Sequence, residues 1–597
     1  MVGFHRFDNR FIVTATLEMK TPLSIGSRPS FLPTGSDLPV IKTPEGMPFI
    51  PGSSLKGVVR AYTERLLRTL DALQQKWQGK RVWACDPLSE RERCVVATCC
   101  TNCEDCRGSN CCDTCRRCKA CMVKRHQRNG VLDDAKFTEE LFFHSCTACR
   151  LFGSPWLASR VYFQDAMLIN GDDLLRLTEV RDGVGIDRDL GSAKRGIKFD
   201  FEVVPTKAKF GVRIIAENME DWEMGLFLLS LRAMEEGELP LGGKTTRGLG
   251  WCQLQGLKVE RITSADLLSY LQGNSPSEAD PQNFVRVFLQ GLSQGVTAMH
   301  KCLWNALEIE FTLVPKSPLL IKSGRLSPNP FLPDMQFVRT LIGGMETVYI
   351  PGSSIKGVFR GFTEKVLRTL DVQEVDGGQV CEPFADNACG RRLGEEKDSA
   401  RVYRQSCHAC KLYGNTRLWG RLSFSDLFPN KEVVTETRYG VAISRLTNAV
   451  AQGPFQMEIV VSGEFMGKLR LENFEVWQLG LLALTIKGIN DGLVKVGFGK
   501  NRGFGKVEIS VTRVVVDLAK IGHDMSPSEL WGVGKFINRG EEREKYGLTP
   551  DDFLTDLPDT EATDLGIFVR RTYDAERWHR VAEKAIEHLP NALGVAK

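Results

Sequence analysis

The alternation of apolar and polar positions runs through one pattern and then repeats it in the second half of the chain. Apolar residues recur at helical spacing at Leu55, Val59, Tyr62, Leu66 and Leu70, and again at Ile355, Phe359, Phe362, Val366 and Leu370. The spacing predicts helices over 58–70 and 358–370. Each is entered through the same turn, Pro51-Gly52-Ser53-Ser54-Leu55-Lys56-Gly57 and Pro351-Gly352-Ser353-Ser354-Ile355-Lys356-Gly357. Pro-Gly breaks the incoming extended segment, and a serine oxygen is expected to cap the free helical N–H groups. Strand-like stretches at 11–17 and 307–313 precede the two helices, and 160–165 and 420–426 follow them. Residues 199–204 and 210–215 are expected to pair as a hairpin. Apolar helices at 222–234 and 474–486 lead through the glycine-rich loops 242–250 and 497–505 into a last strand.

The order β-α-β-β-α-β, written twice, is the split βαβ or ferredoxin-like plan of an α+β protein. It places one unit at 1–262, with a cysteine-rich insertion at 85–149, and a second at 304–518, with a smaller cysteine set at 381–410. Residues 263–303 read as a polar linker, and 519–597 as a helical tail with a helix at 575–586.

A length of 597 residues suits two or three domains. The net charge of +4 advertises no global affinity for nucleic acid, so any polyanion path has to be built locally. No apolar run approaches the ~20 residues of a membrane helix. The first residues, Met1-Val2-Gly3-Phe4-His5-Arg6, carry no signal-peptide core, so a soluble cytoplasmic protein is expected.

Local cation sites are legible. Lys56 and Arg60 lie four apart, as do Lys356 and Arg360, so each helix start is expected to present two cations beside spare N–H donors, including those of Ser53, Ser54, Ser353 and Ser354. The late loops add Lys244 and Arg247 in one half and Lys500 and Arg502 in the other. Gly243-Lys244-Thr245 lacks the leading glycine of a nucleotide-phosphate loop, because Glu238 stands there, and this excludes an NTPase. No histidine is matched between the halves, which disfavours histidine catalysis.

The 19 cysteines fall largely in Cys-x-x-Cys pairs, the pattern of zinc ligands. Comparing the halves gives two four-thiolate sets: Cys85, Cys94, Cys146 and Cys149, and Cys381, Cys389, Cys407 and Cys410. Such closed tetrahedral sites are structural, so at least two structural Zn²⁺ ions are expected. Further cysteines at 99–121, among them Cys112, Cys115, Cys118 and Cys121, have the spacing for more zinc, with an iron–sulfur cluster as the alternative.

Several motifs together resemble a known family: Ile-Pro-Gly-Ser-Ser-x-Lys-Gly at the helix starts, Arg-Val-x-Phe-x-Asp at 160–165, Gly-Val-x-Ile-x-Arg at 183–188 and 440–445, and the glycine-rich loops. The chain resembles the RAMP superfamily, specifically the backbone subunits of type III CRISPR effectors. Two units in one chain is similar to the fused backbone proteins of type III-D. The resemblance implies RRM-like cores stacked along a CRISPR RNA, with thumb hairpins around 183–198 and 440–452 that carry Arg188 and Arg445 toward RNA. It also implies cleavage of a paired single-stranded target RNA by a loop aspartate, Asp37 in one unit and Asp334 in the other, with Mg²⁺ or Mn²⁺ assisting. The first copy carries Lys42 where the family usually has Arg; the second keeps Arg339 but has Gln336 in place of a proline. Further backbone subunits, a large polymerase-type subunit and small subunits are the implied partners. A non-catalytic guide-RNA scaffold is the alternative.

Overall fold

The computed structural model describes residues 5–26, 36–89, 92–97, 115, 117–128, 130–293, 304–323, 332–342, 345–370, 380–520, 525–537, 539–566 and 568–594. The first half opens with β1 (Asn9–Met19) and α1 (Gly52–Ala72), and then runs through the cysteine insertion to β2 (Val161–Phe163). A separate hairpin follows, β3 (Glu179–Ile186) with β4 (Ala193–Val203). The chain returns as β5 (Lys209–Glu217), α2 (Asp221–Glu235) and β6 (Cys252–Thr263), and ends in β7 (Ser277–Ala279) and α3 (Pro281–Gln290). In the sheet β7 borders β6, then come β1 and β5, and β2 pairs with β5; all these pairings are antiparallel. Without β7, this is the strand order of the split βαβ plan.

The second half repeats it as β8 (Asn305–Pro315), α4 (Gly352–Thr369), β9 (Leu422–Phe424), the hairpin β10 (Val434–Ile443) with β11 (Val450–Ser462), β12 (Phe465–Glu472), α5 (Val476–Asn490) and β13 (Val507–Ala519). It closes with β14 (Glu561–Asp564), β15 (Phe568–Tyr573) and α6 (Ala575–Ala592). Here β9, β12, β8, β13, β15 and β14 form one sheet.

Two expectations are corrected. Residues 199–203 do not pair with 210–215: Phe199 sits opposite Gly183 within the separate hairpin, while β5 pairs with β1. Alternation identifies a strand but not its partner. Nor is the linker a bare connection, and the tail adds strands to its expected helix. The linker adds one edge strand to its sheet and the tail adds two strands, and each lays a helix over α2 or α5, burying Phe284, Val285, Phe288 and Leu289 in one case and Trp578, Val581, Ala585 and Leu589 in the other. The reason is that α2 and α5 are apolar almost all round, so the sheet covers only one side of them. Gly225 and Gly480 admit the covering helices, since a Cβ there would lie 2.1 Å from the Phe284 carbonyl oxygen and 2.4 Å from that of Ala585. Among the described residues, no helix is long and apolar enough to cross a membrane.

Candidate nucleic-acid interface and metal centres

At each helix start proline occupies the N-cap, and no side chain of the turn caps the helix. The expected serine cap is supplied instead by an aspartate from the following strand segment: Asp165 Oδ1 accepts the Gly52 N–H at 2.8 Å, and Asp426 Oδ1 accepts that of Gly352 at 2.8 Å. The strand passes so close that a Cβ on Gly52 would lie 2.3 Å from the Phe163 carbonyl oxygen, and one on Gly352 2.6 Å from that of Ser425. Ser53 and Ser353 are therefore left exposed at the surface, with Ser54 and Ser354 half-buried beside them.

The two cations of each start separate. Arg60 turns inward, donating to Glu64 at 2.8 Å, to the Gly153 carbonyl at 3.1 Å and to Cys149 Sγ at 3.8 Å. Arg360 does the same with Glu364 at 2.7 Å, the Gly414 carbonyl at 2.9 Å and Cys410 Sγ at 3.5 Å. A planar fork of donors suits this three-way bridge, and it takes Arg60 and Arg360 away from the shared cationic face. Lys56 stays half-exposed, whereas Lys356 is 7 % exposed and makes no ion pair among the described residues. Burial, then the positive charges of Arg247 and Arg360, push the Lys356 ammonium down to about 7. Arg247 reaches this point from the other half, because its short helical turn at Thr245–Arg247 packs against α4 and β9. A cationic site thus forms across the junction. Lys244 lies 4.4 Å from the Phe201 ring. In the second half Lys500 and Arg502 are exposed.

The cysteine sets come together as expected. Cys85, Cys94, Cys146 and Cys149 form one buried group and Cys381, Cys389, Cys407 and Cys410 the other, with the sulfurs of each group within 4.8 Å of one another. Sulfur–sulfur distances of 3.6 and 3.7 Å are too long for disulfides and match the edge of a tetrathiolate zinc tetrahedron, about 3.8 Å for Zn–S bonds of ~2.3 Å. Both groups fit Zn²⁺. Of the third set, Cys115, Cys118 and Cys121 are buried beside Val96, and Cys112 lies outside the described residues.

The loop aspartates occupy matched positions. Asp37 Oδ2 accepts the Asp200 N–H of β4 at 2.9 Å, and Asp334 Oδ2 accepts the Gln456 N–H of β11 at 2.8 Å. Both side chains are on exposed residues. Each loop lies parallel to its hairpin strand through a single bridge, Leu38 with Phe201 and Met335 with Met457. A glutamate that sequence reasoning missed fixes the register. Glu202 accepts the Val40 N–H at 3.0 Å and Lys42 Nζ at 2.6 Å; Glu458 accepts the Phe337 N–H at 3.0 Å and pairs with Arg339. Lys42 and Arg339 thus do the same job, and the duplication itself was the signal that could have found their partners. Beside the aspartate itself the copies also differ: Asp200 adds a second carboxylate next to Asp37, bonded by Ser36 Oγ at 2.8 Å, where the second copy has Gln456.

The first hairpin does not stand free. Arg181 is buried against Asp426 at 2.8 Å and over the Tyr349 ring, Glu179 accepts the Leu341 N–H at 3.0 Å, and Arg188 Nε donates to Glu364 at 2.6 Å. Arg188, expected to face RNA, is therefore held by the second half. Its counterparts in the second hairpin, Glu436, Arg438 and Arg445, are exposed.

Two split βαβ sheets, each with a separate hairpin, an acidic loop laid on it and a buried four-cysteine group, define a tandem α+β protein. The family model for the RAMP superfamily matches residues 16–253 and 312–508, and the chain belongs to that superfamily. No curated protein matches the chain.

Proposed function

We propose that the chain is a CRISPR-RNA-binding backbone subunit of a type III effector, of the fused type III-D kind, that cuts guide-paired target RNA at Asp37 and Asp334. The observation that carries this reading is the matched pinning of both aspartates, one carboxylate oxygen on a hairpin N–H and the residue still open to solvent. A hairpin acting as a thumb splays a nucleotide beside the aspartate, and in-line placement of its 2′-hydroxyl against the adjacent phosphorus is mainly a positioning effect. The free carboxylate oxygen then accepts the hydroxyl proton or holds the Mg²⁺ or Mn²⁺ that assists. The chain's guide contacts are to backbone phosphates, through Lys56, Lys356, Arg247, Lys500 and Arg502, while base pairing supplies sequence specificity.

The second thumb and the first helix support neighbours of the same kind. Glu436, Arg438 and Arg445 offer outward the charges that the first thumb already uses inside the chain. Glu64, Asp165 and the 88 %-exposed Leu88 stand where the second half receives that thumb with Glu364, Asp426 and Phe384. Further RAMP-type subunits fit both ends.

The test is cleavage of a labelled guide-complementary RNA by the assembled effector carrying Asp37→Ala, Asp334→Ala or both. Each single variant is expected to lose its own cut, by about 100-fold or more, with the other intact. Unchanged cleavage in the double variant would make the chain a guide scaffold.

A further inference from the structure

The zinc loop of the second half touches the thumb of the first. Phe384, inside the loop between Cys381 and Cys389, lies against the hairpin so closely that a Cβ on Gly185 would be 2.8 Å from its Cζ, and the Lys194 ammonium sits 5.3 Å from its ring centre. On the other flank a continuous polar path leads from a ligand sulfur to the hairpin tip. Arg360 bonds Cys410 Sγ at 3.5 Å and Glu364 at 2.7 Å, and the fully buried Glu364 accepts Arg188 Nε at 2.6 Å. Arg368 adds a bond to the Cys381 carbonyl at 3.2 Å.

The first half has the same inner contacts without the hairpin. Arg60 bonds Cys149 Sγ, and Arg68 bonds the Cys85 carbonyl at 2.7 Å. Among the described residues, Glu64 pairs with Arg60 and, at 3.8 Å, with Arg68. The position of Phe384 is taken by the exposed Leu88.

We propose that the metal centre at Cys381, Cys389, Cys407 and Cys410 positions the first thumb, through Arg360, Glu364 and Arg188 on one side and Phe384 on the other. The proposal rests on both thiolate sets holding zinc. Four thiolates on Zn²⁺ carry two net negative charges, and a guanidinium on a ligand sulfur offsets part of that charge while fixing the ligand's orientation. In the second half that same guanidinium also orders the glutamate that holds Arg188. Because β4 of this thumb bonds Asp37, the metal of the second half sets the geometry around the aspartate of the first. Among the described residues, the first four-cysteine group makes no such contact with a hairpin.

The experiment combines zinc content, chelator-driven zinc release and hydrogen exchange of residues 179–203 on the full chain. Wild type is expected to hold at least two zinc ions; fewer would overturn the metal reading itself. Arg360→Gln is expected to speed release of one zinc by about 10-fold or more and to raise exchange of the hairpin tip. Arg60→Gln should speed release of the other zinc and leave the hairpin unchanged. Arg188→Gln, at the far end of the path, should keep both metals at wild-type release rates while the tip exchanges faster, which keeps the proposal testable should Arg360→Gln fail to fold. Wild-type hairpin protection in Arg188→Gln, or equal hairpin effects of Arg60→Gln and Arg360→Gln, would overturn it.

Discussion

Lys356 gives the sharpest quantitative prediction. Its ammonium is buried at the junction with Arg247 and Arg360 nearby and no carboxylate partner among the described residues, and its pKa falls from 10.5 to about 7. At about 1.4 kcal/mol per unit, keeping the proton below neutral pH costs the RNA-free fold on the order of 5 kcal/mol. The unfolded chain binds more protons than the fold between about pH 7 and 10.5, so RNA-free stability rises with pH across that window. A phosphate beside Lys356 reverses this by returning the ammonium to its charged form. Binding then takes up a proton above pH 7, and from about pH 6 to about pH 9 the association constant falls by about 100-fold. Fluorescence anisotropy with a labelled single-stranded RNA at constant ionic strength reads this directly. Lys356→Met should flatten the pH profile, lower the logarithmic salt slope by about 0.7 and raise the melting temperature of the RNA-free protein near pH 6. Lys56→Met, at a half-exposed lysine, should lower the salt slope while leaving most of the pH dependence. A Lys356→Met protein with the wild-type pH slope would refute the reasoning.

Three further outcomes follow from the same contacts. Asp426→Ala removes both the Gly352 cap and the partner of the buried Arg181, so thermal or urea unfolding should show a loss of about 3–5 kcal/mol, against about 1 kcal/mol for the exposed Asp165→Ala. Gly352→Ala places a Cβ 2.6 Å from a strand carbonyl and should lower the melting temperature of the second half, whereas Gly357→Ala, with open space around it, should not. Ending the chain after residue 520 strips α6 from α5 and exposes the apolar outer side of that helix, so the truncated protein should aggregate or bind a hydrophobic dye where the full chain does not.

Periodicity alone located α1, α4, α2 and α5, and the internal repeat paired them, because helical spacing and duplication are local facts. The same comparison sorted eight cysteines into two sets, since thiolate spacing encodes ligand sets without reference to the fold. Other assignments needed partners distant in the chain. The serine caps gave way to Asp165 and Asp426, which arrive from strand ends more than a hundred residues on in one case and more than seventy in the other. Arg60 and Arg360 look like surface cations in sequence because Lys56 and Lys356 stand one turn before them; the cysteines they bond lie 89 and 50 residues away. The apparent linker became a sheet edge and a covering helix, and the tail's expected helix found its seat, only once α2 and α5 had a second apolar face to bury.

By itself, then, the sequence determined the duplication, the main helices of each unit and the two four-cysteine groups that the fold brings together. Only the tertiary structure decided that one hairpin is docked on the other half while the other is exposed, and that Lys356 is buried while Lys56 is not. The physical reason is that two copies of one unit joined in a single chain cannot be equivalent: the contact between them covers Asp426 and Glu364 of one copy with Arg181 and Arg188 of the other's hairpin, and leaves the matching Asp165, Arg438 and Arg445 exposed.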